Sequence, residues 1–239
     1  MAAVHYGRMS NRPHVPGTRQ HWLFALTFLL PAAVAVFATT YPWASPTTLL
    51  SDPFKISESV NPLHPMMGAL SSFGAIMFFC SSAIALFGAT LAADRSGRHF
   101  LIYSGLFSSM LGIDDFFGLH DRVFPEFSID ETYVELVYVV GQLVYVIAFR
   151  KVLLRLNYIP LAAALLLFAI SLALDSRLMI VIQDVLGSQL SQAAAEAWED
   201  LPKLAGTVLW LWFHMQAARN IVAAGRVQNS VGQGGRGDD

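Results

Sequence analysis

PMMGALSSFGAIMFFCSSAIALFGATLAA, residues 65–93, runs 29 positions without a charged side chain. A helix rises 1.5 Å per residue, so about 20 apolar residues cross the hydrocarbon layer of a bilayer. This stretch is longer than that and reads as a membrane helix that tilts or projects. Its small residues Gly74, Ser81, Ser82 and Gly88 suit close helix–helix contact, which places it centrally in a bundle. Cys80 lies in its middle and reads as packing.

Similar stretches flank it. Working outward, the spacing predicts further spans over about 22–40, 99–119, 133–148, 161–182 and 195–218. The fold class is therefore all-α, a polytopic bundle of six spans. Residues 1–223 form one domain, and the Gly-rich polar stretch 224–239 reads as a disordered cytoplasmic tail. Pro31 lies inside the first span and is expected to bend it. That span carries a long basic flank (Arg8, Arg12, Arg19) and reads as a retained anchor.

Composition agrees. Hydrophobic residues make up 55% of the 239-residue chain and charged residues 13%, with mean hydropathy +0.51. Soluble domains carry about 25% charge, so a compact water-soluble enzyme is excluded. A single cysteine excludes an internal disulfide and any Cys-rich zinc site. A net charge of -2 gives no reason to expect nucleic acid as a partner.

Charge distribution sets the expected orientation. Eleven of the 15 Arg and Lys fall on one side if the N-terminus is inside, and basic residues favour cytoplasmic loops. Both termini are then cytoplasmic, in a multi-pass protein of the cell membrane. Fourteen of the 17 acids fall on the other side. Polar external loops account for Asp52, Glu58, Glu126, Asp130 and Glu131, but not for acids inside apolar spans.

The third span ends LGIDDFFGLHDRVFPE. Asp114 and Asp115 lie about 7 Å below its outer end. Charge there is costly unless it is paired, protonated or bound to a cation. Ser104, Ser108, Gly112 and Asp115 form one stripe, which turns Asp115 toward the bundle. Asp114, Gly118 and Asp121 form a second stripe about 100° away, with Gly118 the expected helix end.

The sixth span opens EAWEDLPKLAG. Glu196, Glu199 and Lys203 share a face, Asp200 adjoins it, and Glu199 with Lys203 is a favourable i, i+4 pair. Pro202 leaves the Trp198 carbonyl without its helical donor, and carbonyls with carboxylates suit hard cations. Across four spans Asp114, Asp115, Asp121, Glu135, Asp175, Glu196, Glu199 and Asp200 outnumber Arg122, Arg177 and Lys203. Such an excess in a low-dielectric site is expected to take up protons or a cation.

Three functions are compatible with one polar site in the outer half of the bundle. The first is a metal-dependent hydrolase or transferase acting on a lipid-like substrate. Asp114, Asp115, Asp121, Glu199 and Asp200 would hold a divalent cation, His120 would act as acid or base, and Lys203 would contact an anionic headgroup. The second is a proton- or cation-coupled transporter with an ionic substrate; the inner half-spans carry few ionisable groups, which weighs against a continuous path. The third is a non-catalytic subunit in which the cluster ties four helices together. His214 lies deep in the last span, beside the aromatic run WLWF, which reads as packing or an anchor.

Overall fold

The computed structural model describes residues 68–174 and 192–234. Among these residues every regular element is helical. Five helices make up the body: α1 Ala69–Leu91, α2 Arg95–Phe117, α3 Glu131–Ala148, α4 Ile159–Ala173 and α5 Gln192–Gly234. A π-helical turn, Leu119–Val123, and the short helices Phe124–Glu126 and Arg150–Leu153 connect them.

Local chemistry fixes the boundaries. The uncharged run 65–93 supplies α1, entered through Gly68 at φ 62°, a left-handed conformation that glycine adopts without penalty. Asp94 caps α2: its carboxylate accepts the Gly97 amide at 2.9 Å. The Arg98 guanidinium donates to the Ala92 carbonyl at 2.8 Å, closing the turn from α1. Gly118, at φ 58°, ends α2 where the sequence places that end. Asp130 caps α3 by accepting the Thr132 amide at 2.9 Å. Pro160 stands in the first turn of α4, where its missing N–H costs nothing. Pro202 lies inside α5, which runs through it.

The helices α1, α2 and α3 are long and apolar enough to cross a membrane, and α4 is a shorter apolar helix. Of the remaining expected spans, residues 22–40 and the end of 161–182, from 175 on, lie outside the described residues.

Small residues set the packing. An added Cβ at Gly105 would stand 2.5 Å from Leu86 Cγ, and one at Gly88 would stand 2.9 Å from Ala218 Cβ. The backbones of α2 and α5 therefore approach α1 as closely as side chains permit. Gly74, Ser81, Ser82 and Gly88 are all buried, as their spacing implies. The core is aromatic. Trp210 of α5 sits among Phe78, Phe107, Tyr145 and Phe168, and Phe100 stacks on Tyr145 at 5.5 Å. In α3, Val134 and Tyr145 are the buried residues. This helix is held by long side chains: the Tyr103 hydroxyl donates to the Gly141 carbonyl at 3.0 Å.

Candidate functional site

Consecutive residues on a helix point about 100° apart. Asp114 and Asp115 therefore leave the last turn of α2 in different directions and meet different partners.

Asp114 is buried and serves the loop beyond α2. One carboxylate oxygen accepts the His120 backbone amide at 3.0 Å. The other lies 2.6 Å from His120 Nδ1. Since a carboxylate accepts, Nδ1 carries the proton, whether the ring is neutral or cationic. The chain folds back at Gly118 and through the π-helical turn, which brings a residue six positions on to the same carboxylate. Tyr138 of α3 turns its phenol toward Asp114 as well. Asp114 thus ties the end of α2 to the loop and to α3.

Asp115 faces the bundle. Its carboxylate meets the Lys203 ammonium of α5 at 2.6 Å, with 7% of the Asp115 side chain and 40% of the Lys203 side chain exposed. At that distance the contact is a charge-assisted hydrogen bond. The stripe Ser104, Ser108, Gly112 and Asp115 therefore faces inward as its spacing implies, since Ser104, Ser108 and Gly112 are buried. Thr207, one turn beyond Lys203, donates its hydroxyl to the Lys203 carbonyl at 2.7 Å. Gly74 of α1 is the close neighbour on the third side: a Cβ there would stand 3.3 Å from an Asp115 carboxylate oxygen. Ser71, Gly74, Asp115, Asp200, Lys203 and Thr207 line a recess of about 20 Å³. A water needs roughly 10–15 Å³, so the recess has room for one small guest.

The sequence-predicted residues divide accordingly. Asp115, Asp200 and Lys203 come together at the recess. Asp114 and His120 form a separate pair. Lys203 reaches across the bundle to Asp115, a partner that the along-helix pairing with Glu199 does not anticipate. The side chains of Asp121, Arg122, Glu196 and Glu199, and residues Asp175, Arg177 and Asp184, lie outside the described residues.

Of the five expected divalent-metal ligands, the side chains of Asp121 and Glu199 lie outside the described residues. Among the described residues no three His, Cys, Asp or Glu side chains converge as a metal site. The reason is geometric, since adjacent Asp114 and Asp115 diverge. The positive group at Asp115 is the chain's own lysine. Tyr138, Ser71 and Thr207 are members that the sequence did not single out. Tyr138 looks like any interfacial aromatic, and nothing local marks it as facing Asp114.

No curated protein and no solved structure matches the chain. A family model described as Domain of unknown function (DUF8692) matches residues 22–217. That match covers most of the 239 residues, and the chain belongs to this family.

Proposed function

We propose that this is a multi-pass protein of the cell membrane, six spans with both termini cytoplasmic, whose outer-end recess binds and exchanges a proton or a small monovalent cation. In this reading it is an ion-coupled carrier, and its partners are the bilayer and an ionic substrate. The observation that carries the reading is the Asp115–Lys203 pair bordering a recess sized for one small guest.

The chemistry is an exchange of partners. A cation that enters the recess competes with the Lys203 ammonium for the Asp115 carboxylate. Lys203 is partly exposed, so its ammonium can turn to water when displaced. Asp115 and Asp200 both line the recess with the one ammonium of Lys203, so one further positive charge balances the site.

The test is ion flux in liposomes holding the purified protein. A sodium or proton gradient should drive movement of a pH-sensitive or sodium-sensitive dye, and Asp115→Asn should abolish it. Equal flux from protein-free and protein-loaded vesicles under every gradient would reject the carrier reading.

A second reading, a hydrolase or transferase acting on a lipid-like substrate, draws on Asp114 and His120. A carboxylate on Nδ1 fixes the imidazole's tautomer and orientation, the arrangement that general acid–base catalysis uses. It predicts that His120→Ala abolishes lipid turnover while the helices stay folded. Metal analysis of the purified protein tests the associated divalent cation.

A further inference from the structure

A separate polar feature lies inside the helix packing. His214 of α5 is wholly buried. Its Nδ1 lies 2.7 Å from the Trp210 carbonyl oxygen, one turn back. A carbonyl only accepts, so Nδ1 holds the ring's proton and Nε2 presents a bare lone pair. That nitrogen is buried and has no hydrogen-bond partner among the described residues. A leucine at this position would pack without leaving a polar atom unsatisfied, so the histidine is a standing cost that asks for an explanation.

The register of α2 and α5 supplies one. The two helices run antiparallel, and Asp115 meets Lys203 at one end. Seven residues along each helix, Trp210 Nε1 donates to Ser108 Oγ at 2.9 Å. Four residues further along each, Ser104 and His214 fall at the same level. Ser104 Oγ there shares a hydrogen bond of 2.9 Å with the Tyr145 hydroxyl of α3. Ser104, Ser108, Thr207, Tyr145 and His214 are all buried. A line of buried hydroxyls thus extends over the roughly 16 Å of helix between the ion pair and the imidazole. With the indole N–H on its oxygen, Ser108 keeps its own O–H to donate.

We infer that His214 is a proton-accepting station in the bundle interior, reached from the Asp115–Lys203 recess along these hydroxyls and bridging water. Its source of protons rests on the ion-exchange reading of the recess, while the state of its ring does not. One proton leaves the recess, each hydroxyl hands one on as it receives another, and Nε2 binds the last. The imidazolium is the product, with no electron transferred and no other bond broken. The surrounding helices leave few competitors. Cys80 is the titratable group on α1, and it is exposed; α4 has none. Among the described residues, the titratable groups on the neighbouring stretches of the other helices and of α5 itself include Tyr145 on α3, Tyr103 and His99 on α2, and Lys203 and Arg219 on α5.

The experiment is solid-state NMR on the full-length protein in lipid bilayers with nitrogen-15-labelled histidine. His214→Gln identifies the signal; should that variant fail to fold, the through-space contact to the Trp210 ring does so instead. The expected result is a bare Nε2 at high pH that gains a proton as the pH falls. Proton exchange at that nitrogen should slow at least tenfold in Ser104→Ala, with unchanged helix content. An Nε2 that stays unprotonated throughout overturns the proposal, as does equal exchange in the wild type and Ser104→Ala. Asp115→Asn separates the two readings. If it abolishes liposome flux while Nε2 never titrates, the station fails and the recess stands. If Nε2 titrates while no flux is ever seen, the carrier reading fails and the station stands.

Discussion

Replacing Lys203 with Met tests the ion pair directly. The Asp115 side chain is 7% exposed and lies 2.6 Å from the ammonium. At an effective dielectric near 20, Coulomb attraction over that distance is about 6 kcal/mol. Desolvating a carboxylate and an ammonium opposes it by several kcal/mol, less on the lysine side because two-fifths of that side chain stays exposed. Lys203→Met should therefore destabilise the fold by about 2 kcal/mol, through the charge left on buried Asp115. Asp115→Asn leaves an ammonium that can reach water and should cost about 1 kcal/mol. The double variant should cost about 1 kcal/mol as well, a coupling of about 2 kcal/mol. Reversible unfolding in mixed micelles, followed by tryptophan fluorescence, measures all four corners of the cycle. Effects that add to within about 0.5 kcal/mol would refute the reasoning, because independent sites behave in that way.

Three other outcomes are expected. Gly105→Ala puts a Cβ 2.5 Å from Leu86 Cγ and 3.2 Å from the Ser82 carbonyl oxygen. It should cost roughly 1–3 kcal/mol by overpacking, whereas an unchanged unfolding midpoint would deny the close contact of α1 and α2. Trp210→Phe keeps most of the ring packing but removes the bond to Ser108. A loss of about 1 kcal/mol is expected, and Ser108→Ala should then add little in the Trp210→Phe background. The Thr132 hydroxyl and amide hold the Asp130 carboxyl below the usual carboxylate range. A lowered folded value stabilises above the ordinary carboxylate pKa and is lost as the pH falls through the folded one, so the first turn of α3 should fray below about pH 4. Amide exchange at Thr132 reads this out, and Asp130→Ala should exchange quickly at every pH.

The parts of the fold legible in the sequence were those governed by local rules. An uncharged run of 29 residues has few folded alternatives to a helix, and α1 occupies most of it. Gly118 marks a helix end because glycine takes up the left-handed turn, and α2 stops there. The inward stripe that ends in Asp115 is a consequence of helical period alone. The partners of the acids were not legible. Pairing along a helix, such as Glu199 with Lys203, can be read from spacing; pairing across helices depends on register, and there Lys203 meets Asp115. His120 returns to Asp114 because a π-helical turn succeeds Gly118, a geometry that spacing does not encode. Neighbouring helical residues diverge, so Asp114 pairs with His120 while Asp115 pairs with Lys203. Ser104 and Ser108 stand out in the sequence as small residues of the inward stripe, but their hydrogen bonds to Tyr145 and Trp210 depend on the register between helices.

Exchange of a proton or a monovalent cation at the recess beside Asp115 is the central claim. The most direct measurement is a sodium-23 NMR titration of the purified protein in detergent, with choline chloride keeping the ionic strength constant. The predicted result is a saturable sodium-dependent line broadening that Asp115→Asn abolishes. No saturable broadening in the wild type, or an undiminished one in Asp115→Asn, would contradict it.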